Sequence, residues 1–285
     1  MNDFQRPRRE RATPRQGGPA AEGAHLSTFG RRSSDAGRWI YGKHAVAAAL
    51  ANPERRWRRL AVLAGQEDEA RALAAGALAS QFGAGEAVQV LDHRGFAAML
   101  PASAVHQGLA LEVSPLPARD LDDVLRQTSP AIERSIIVAL DQLSDPQNIG
   151  AVLRSAAAFG ALAVVIPAHG APPPTAALAK AASGALETVP LVRVDNLARA
   201  LDRLKKAGFW ICGLDETAPQ LLAELEVGAR VALVLGSEGS GMRRLVRARC
   251  DFLARLPTRL AQPTLNVSNA AAVALYELAG RRGSG

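Results

Sequence analysis

The stretch DQLSDPQNIGAVLR at 141–154 decides the reading of this chain. An apolar run, 136–141, leads into it and ends on an acid, and a helix over 147–160 follows. Two later segments answer it: LVLGSEGSGM at 233–242 and LNVSNAAAVALYE at 265–277. Each places Asn, Glu or Ser where a strand gives way to a helix, the edge at which parallel α/β proteins hold ligands. One such junction is ordinary. Three within one half of the chain point to an assembled site.

Outward from that stretch the pattern stays regular. Strands are expected at 162–166, 188–194, 209–213, 231–235 and 251–256. Helices are expected at 175–183, 196–207, 242–248 and 266–280. Short apolar strands separated by helices indicate a parallel sheet buried on both faces. Before it, 114–135 carries three Pro and polar turn residues and reads as a linker with a short helix at 120–127. A smaller α/β unit precedes the linker, with helices near 43–52, 67–82 and 93–100 and strands near 58–64, 87–91 and 107–113. Order begins at Trp39, Ile40, Tyr41 and Gly42. Residues 1–37, rich in Arg, Gly, Pro and Ser, are expected to be disordered. The division is therefore 1–37 tail, 38–115 first domain, 116–134 linker and 135–285 second domain.

Composition narrows the class. At 285 residues and 48% apolar the chain has ample core, and no apolar run reaches the length of a membrane span. The start has no apolar secretory segment, and Cys212 and Cys250 are far apart without a CxxC pattern, so a reducing cytoplasm is expected and a zinc site is not. Net charge is +7, and Arg outnumbers Lys 30 to 4. The tail to residue 38 holds eight Arg against four acids. Such an arm suits a polyanion, although a GC-rich genome also favours Arg.

Asn148 stands about where a helix N-cap would, Gly150 admits a close neighbour, and Arg154 lies six residues on, roughly sharing a face with Asn148. The glycines at 236, 239 and 241 are spaced GxxGxG, neither the dinucleotide fingerprint nor a P-loop. They still allow main-chain groups to meet a planar ligand, with Glu238 beside it. Asn266, Ser268 and Asn269 open a helix whose small residues permit close packing.

Together these segments resemble the three motifs of the SpoU (TrmH) ribose methyltransferases of the SPOUT superfamily: N-x-G-x-x-x-R as Asn148, Gly150 and Arg154, LGxEGxGM at 235–242, and LNVS at 265–268. Similarity extends to YGKHAV at 41–46, VHQG at 105–108, AKAASGALETVPLVRVDNLARAL at 179–201 and GMRRLVRARCD at 241–251. It is strongest to members that methylate a guanosine ribose in the peptidyl-transferase P loop of 23S rRNA. One departure is plain: Leu260 falls where the family has Gly, and Thr264 where it has Ser.

The resemblance implies a C-terminal α/β domain with a parallel sheet and a deep trefoil knot, preceded by a small L30e-like RNA-binding domain. Pattern reading alone gives an open Rossmann-like sheet, because knots are nearly absent among folds. It also implies S-adenosyl-L-methionine as cofactor, no metal, a homodimer whose partner subunit completes the site, and 23S rRNA or a pre-ribosomal particle as partner. By resemblance Arg154 acts on the ribose, with Asn148, Glu238 and Asn266 orienting. Main-chain groups of Gly236, Leu256 and Leu265 hold the cofactor with Asn266 and Ser268. Arg55, Arg56, Arg58 and Arg59 around WRRL, with His106 and Gln107, are candidate RNA contacts. A transfer-RNA ribose, another rRNA site, or a non-catalytic ribosome-assembly factor are the alternatives.

Overall fold

A computed structural model describes residues 39–81, 88–128, 134–172, 175–259 and 265–280. The tail expected over 1–37, and Leu260 and Thr264, lie outside the described residues.

The first unit is built from β1 (Trp39–Tyr41), α1 (Lys43–Ala51), β2 (Trp57–Leu63), α2 (Glu67–Gln81), β3 (Val88–Leu91), α3 (His93–Met99) and β4 (Leu109–Val113). Its sheet runs β1-β4-β2-β3 and is mixed: β4 pairs antiparallel with β1 and β2, while β3 lies parallel to β2. Trp39, Ile40 and Tyr41 form a strand, which the three-residue apolar run was too short to announce. Trp57 and Leu60 enter the core, whereas Arg58 between them stays exposed. A short helix, α4 (Leu121–Gln127), follows in the connecting segment and is closed by a capping box between Asp120 and Asp123.

The second unit contains β5 (Ser135–Leu140), α5 (Pro146–Ala158), β6 (Ala163–Pro167), α6 (Ala176–Ala181), β7 (Leu191–Val194), α7 (Leu197–Lys206), β8 (Trp210–Leu214), β9 (Gln220–Leu221), β10 (Arg230–Leu235), α8 (Arg244–Arg247), β11 (Phe252–Arg255) and α9 (Val267–Gly280). The sheet order is β7-β6-β5-β10-β8-β11-β9, and every pairing is parallel. The chain runs outward from β5 to β7, returns to lay down β8, and then inserts β10 between β5 and β8. Strand direction of travel reverses at β5, so a crevice opens at the C-terminal edge there. Residues 136–140 and 231–235 are almost wholly buried, as a sheet covered on both faces requires.

Two differences from expectation have local causes. The helix expected to reach 183 stops at Ala181, because Ser183 and Gly184 take positive φ of 48° and 93° and the chain continues as a 3₁₀ turn, Ala185–Glu187. The two-residue β9 lacks the length that a periodicity argument needs. Among the described residues no helix is long and apolar enough to cross a membrane.

Candidate active site

At the end of β5 the chain is tied to the end of β10. Asp141 is fully buried, and its carboxylate accepts from the Arg243 backbone N–H at 2.7 Å, from Nε at 2.8 Å and from a terminal guanidinium nitrogen at 2.6 Å. A carboxylate out of water survives only when its lone pairs are so met. Gln142, at a φ of 60°, donates through Nε2 to Ser240 Oγ and the Gly241 carbonyl. The glycine turn is thus clamped from beneath by the residues that open the first motif.

The helix α5 is capped by Asp145, which accepts from Gln147 N–H at 2.9 Å, with Pro146 at the first helical position. Asn148 is therefore not the cap. It sits within the first turn, and its side chain is left for another purpose. Gly150 admits a neighbour from the same chain: an added Cβ would lie 2.4 Å from Ala181 Cβ and 2.8 Å from Ala182 N.

The turn after β10 closes on itself through Ser237 and Gly241, which exchange backbone hydrogen bonds of 3.2 and 2.9 Å. A Cβ at Gly236 would come within 2.1 Å of the Gly241 carbonyl carbon, so no other residue fits. Glu238 projects from the turn toward the start of α9, where its Oε1 accepts from Asn266 Nδ2 at 2.7 Å and from Val267 N–H at 3.2 Å. A carboxylate there also suits the positive end of the helix. Asn266 Nδ2 donates in addition to Asn148 Oδ1 at 3.0 Å, and Asn266 Oδ1 accepts from Ser268 N–H and Oγ at 2.9 and 2.5 Å. Three segments separated by about 30 to 120 residues meet on one side-chain amide.

Beside this junction is a cavity of about 360 Å³ at the C-terminal edge of β8, β10 and β11. Gly236, Leu256 and Leu265, all expected to hold a cofactor, line it; Asn266 and Ser268 do not, being engaged with each other. Asp215 and Thr217, which follow β8 and were not singled out from the sequence, line its far side. Burial pushes the Asp215 carboxyl up, but hydrogen bonds from Thr217 and the Arg247 guanidinium outweigh it and hold the group below the ordinary value. An acid at the end of a parallel strand was the signal that could have found it. Among the described residues no cluster of His, Cys, Asp and Glu is placed to hold a metal ion.

Arg154 is not brought to this junction. Six residues turn the helix by about 240°, so it and Asn148 do not share a face. It is exposed and makes no hydrogen bond or ion pair with any described residue.

The expected RNA contacts divide. Arg55 is corrected: it is 4% exposed, and its guanidinium grips Glu187. Arg56, Arg58 and Arg59 are all exposed, and Arg59 leans over Trp39 and pairs with Glu112 at 2.6 Å. His106 stacks on Phe96 at 4.4 Å, and burial, with His93 nearby, lowers its pKa. It offers a neutral ring rather than a cation. The Gln107 side chain is turned back on its own unit, where Oε1 accepts from Lys43 N–H at 3.1 Å.

Comparison with known proteins matches these units separately. The SpoU rRNA Methylase family matches residues 135–276, and the family described as RNA 2′-O ribose methyltransferase substrate binding matches 39–118. The 23S rRNA (guanosine-2′-O-)-methyltransferase RlmB of Vibrio cholerae is 39% identical over 246 residues, covering 85% of this chain and 96% of that protein. Its namesake from Escherichia coli is 38% identical, covering 85% and 98%. Among solved structures, the SpoU methyltransferase AviRb from Streptomyces viridochromogenes in complex with AdoMet superimposes with a TM-score of 0.69 at 22% identity, covering 88% of this chain and 92% of its own. A TrmH-family protein of Porphyromonas gingivalis gives 0.63 at 25%, covering 85% and 89%. With two relatives this similar over nearly their whole length, and with both halves matched, the chain belongs to the SpoU rRNA methylase family.

Proposed function

We propose that this protein methylates the ribose 2′-oxygen of a guanosine in the peptidyl-transferase P loop of 23S rRNA, with S-adenosylmethionine as methyl donor. The observation that carries the reading is the convergence of Asn148, Glu238 and Asn266 beside the cavity, in a family whose similar members are named 23S rRNA (guanosine-2′-O-)-methyltransferases. The cavity suits the cofactor: apolar walls from Leu256 and Leu265 flank a turn whose main chain is open at Gly239. When bound, the cofactor supplies a sulfonium methyl for in-line displacement by the ribose oxygen. Gly236, Leu256 and Leu265 hold it, and Asn266 marks the reacting end.

Positioning supplies much of such a rate, on the order of several kcal/mol. The residues present do that work. Glu238 fixes the Asn266 amide, and Asn266 fixes Asn148, so the polar face toward the ribose is pre-set. A guanidinium carries N–H donors and no acceptor, so the role left to Arg154 is that of a donor. It acts as an electrostatic clamp on a phosphate or on the developing alkoxide, the proton leaving to phosphate or water.

Arg154 meets no polar partner among the described residues, which favours a homodimer in which a second copy brings its Arg154 to this junction. Val273 and Tyr276, exposed at 46% and 69% on α9, supply apolar surface for that contact. Insertion of β10 between β5 and β8 supports the trefoil knot, and the mixed β1-β4-β2-β3 sheet supports an L30e-like unit. The domains are 38–115 and 135–285 around the linker 116–134. RNA approaches over Arg56, Arg58 and the His106 ring, on 23S rRNA or a pre-ribosomal particle in the cytoplasm. Mapping 2′-O-methyl sites in a strain lacking the gene tests the reading. One P-loop guanosine should lose its methyl and regain it on complementation; an unchanged map, or loss at a transfer RNA, would reject it.

A further inference from the structure

The segment AKAASGALETVPLVRVDNLARAL at 179–201 is prominent in the sequence, yet the active site uses none of it. Its most unusual member is Glu187, whose side chain is 3% exposed. Arg55, from the first unit, reaches it with a two-pronged grip: Nε donates to Oε2 at 3.1 Å and a terminal nitrogen to Oε1 at 2.6 Å. Asn52 Nδ2 donates to the same Oε2 at 2.9 Å and to the Glu187 carbonyl at 3.3 Å. Arg55 is itself anchored to the Ser114 carbonyl at 2.8 Å.

Around this pair the two units fit closely. Gly184, at a φ of 93°, leaves room for Ala48 of α1, whose Cβ would lie 2.5 Å from any added Cβ. Lys180 Nζ sits 5.6 Å from the Tyr41 ring centroid, and Ala176 is buried with Trp39 and Tyr41. The other side of the same segment packs on α5, where Ala181 and Ala182 fill the space above Gly150. One short stretch thus touches the substrate-binding unit on one side and the helix of Asn148 and Arg154 on the other.

We propose that Glu187, held by Arg55 and Asn52, is a positioning residue: it docks the substrate-binding unit against α5 in one orientation, and so sets where a bound RNA presents its ribose. The inference rests on the methyl-transfer reading above. A buried ion pair is a poor device for stability alone, since well-packed apolar side chains often do as well. What the guanidinium fork adds is direction, because two parallel hydrogen bonds admit one relative angle. The alanine contacts around it would tolerate sliding, and the fork would not. Displacement in line is sensitive to this, with a misplacement of about 1 Å able to cost on the order of a hundredfold.

The test uses the full chain with Glu187→Ala, well below its melting temperature, and three measurements: affinity for a 23S rRNA fragment, affinity for S-adenosylhomocysteine, and single-turnover methyl transfer with both partners saturating. The rate should fall about tenfold or more, while both affinities stay within about twofold. Glu187→Gln, which keeps an acceptor for Asn52, should recover part of the rate, and is the variant to read if the alanine protein does not fold. An unchanged rate would make the pair a stability feature only and overturn the proposal. So would a loss of RNA affinity as large as the loss of rate. A wild-type chain that binds both partners and transfers no methyl would sink the methyl-transfer reading, and this inference with it.

Discussion

A carboxamide offers two N–H donors and one oxygen, and at Asn266 both ends are engaged: Nδ2 by Asn148 and Glu238, Oδ1 by Ser268. Residue types at strand ends announced that these positions belonged together; their bonding could not be read, because it depends on three distant segments arriving at one point. Two readings at this scale needed the structure. Asn148 looks like a cap, but Asp145 three residues earlier takes that role. Arg55 looks like its exposed neighbours, yet it is buried against an acid 132 residues away. Arg154 is the sharpest residue to vary. Arg154→Lys keeps the charge but loses the planar fork. Single-turnover transfer with saturating cofactor should fall about a hundredfold or more, with cofactor binding unchanged. Near wild-type transfer would leave Arg154 a bystander.

At the scale of elements the sequence was most legible where apolar periodicity ran long. Strands β5 and β10 and helices α5, α7 and α9 fall within a residue or two of expectation, because burial on both faces of a strand, or one face of a helix, leaves a repeating signature. The pieces that escaped, β1 and β9, are three and two residues long. Packing between elements was only half visible. Gly150 signalled a close approach without saying to what, and the neighbour is the end of α6. Gly150→Ala therefore forces α5 and α6 apart. Overpacking of this kind costs about 1–3 kcal/mol, and thermal unfolding should show a lower melting temperature. Because α5 carries Asn148, which faces the ribose, single-turnover methyl transfer should slow with it. A variant that melts like the wild type would mean the two helices separate freely.

For the whole molecule, alternation of strand and helix predicted a parallel sheet but not its order, since insertion of β10 between β5 and β8 leaves no trace in local pattern. Nor does a sequence show which copy of the chain supplies a residue. That question has a direct answer. Arg154→Ala and Asn266→Ala proteins should each be inactive alone. Co-expressed and purified as heterodimers, they should recover about half the wild-type rate per dimer, because one composite site stays intact. If Arg154 instead serves its own chain, every heterodimer will be dead.

The central claim, transfer to a ribose oxygen, is tested most directly with purified protein, S-adenosylmethionine and two P-loop RNA fragments. One is all ribose; the other carries a single 2′-deoxyguanosine at the modified position. Mass spectrometry of digested product should find one 2′-O-methylguanosine in the first RNA and no methyl in the second. Methyl incorporation into the deoxy RNA, or none into either, would contradict the account.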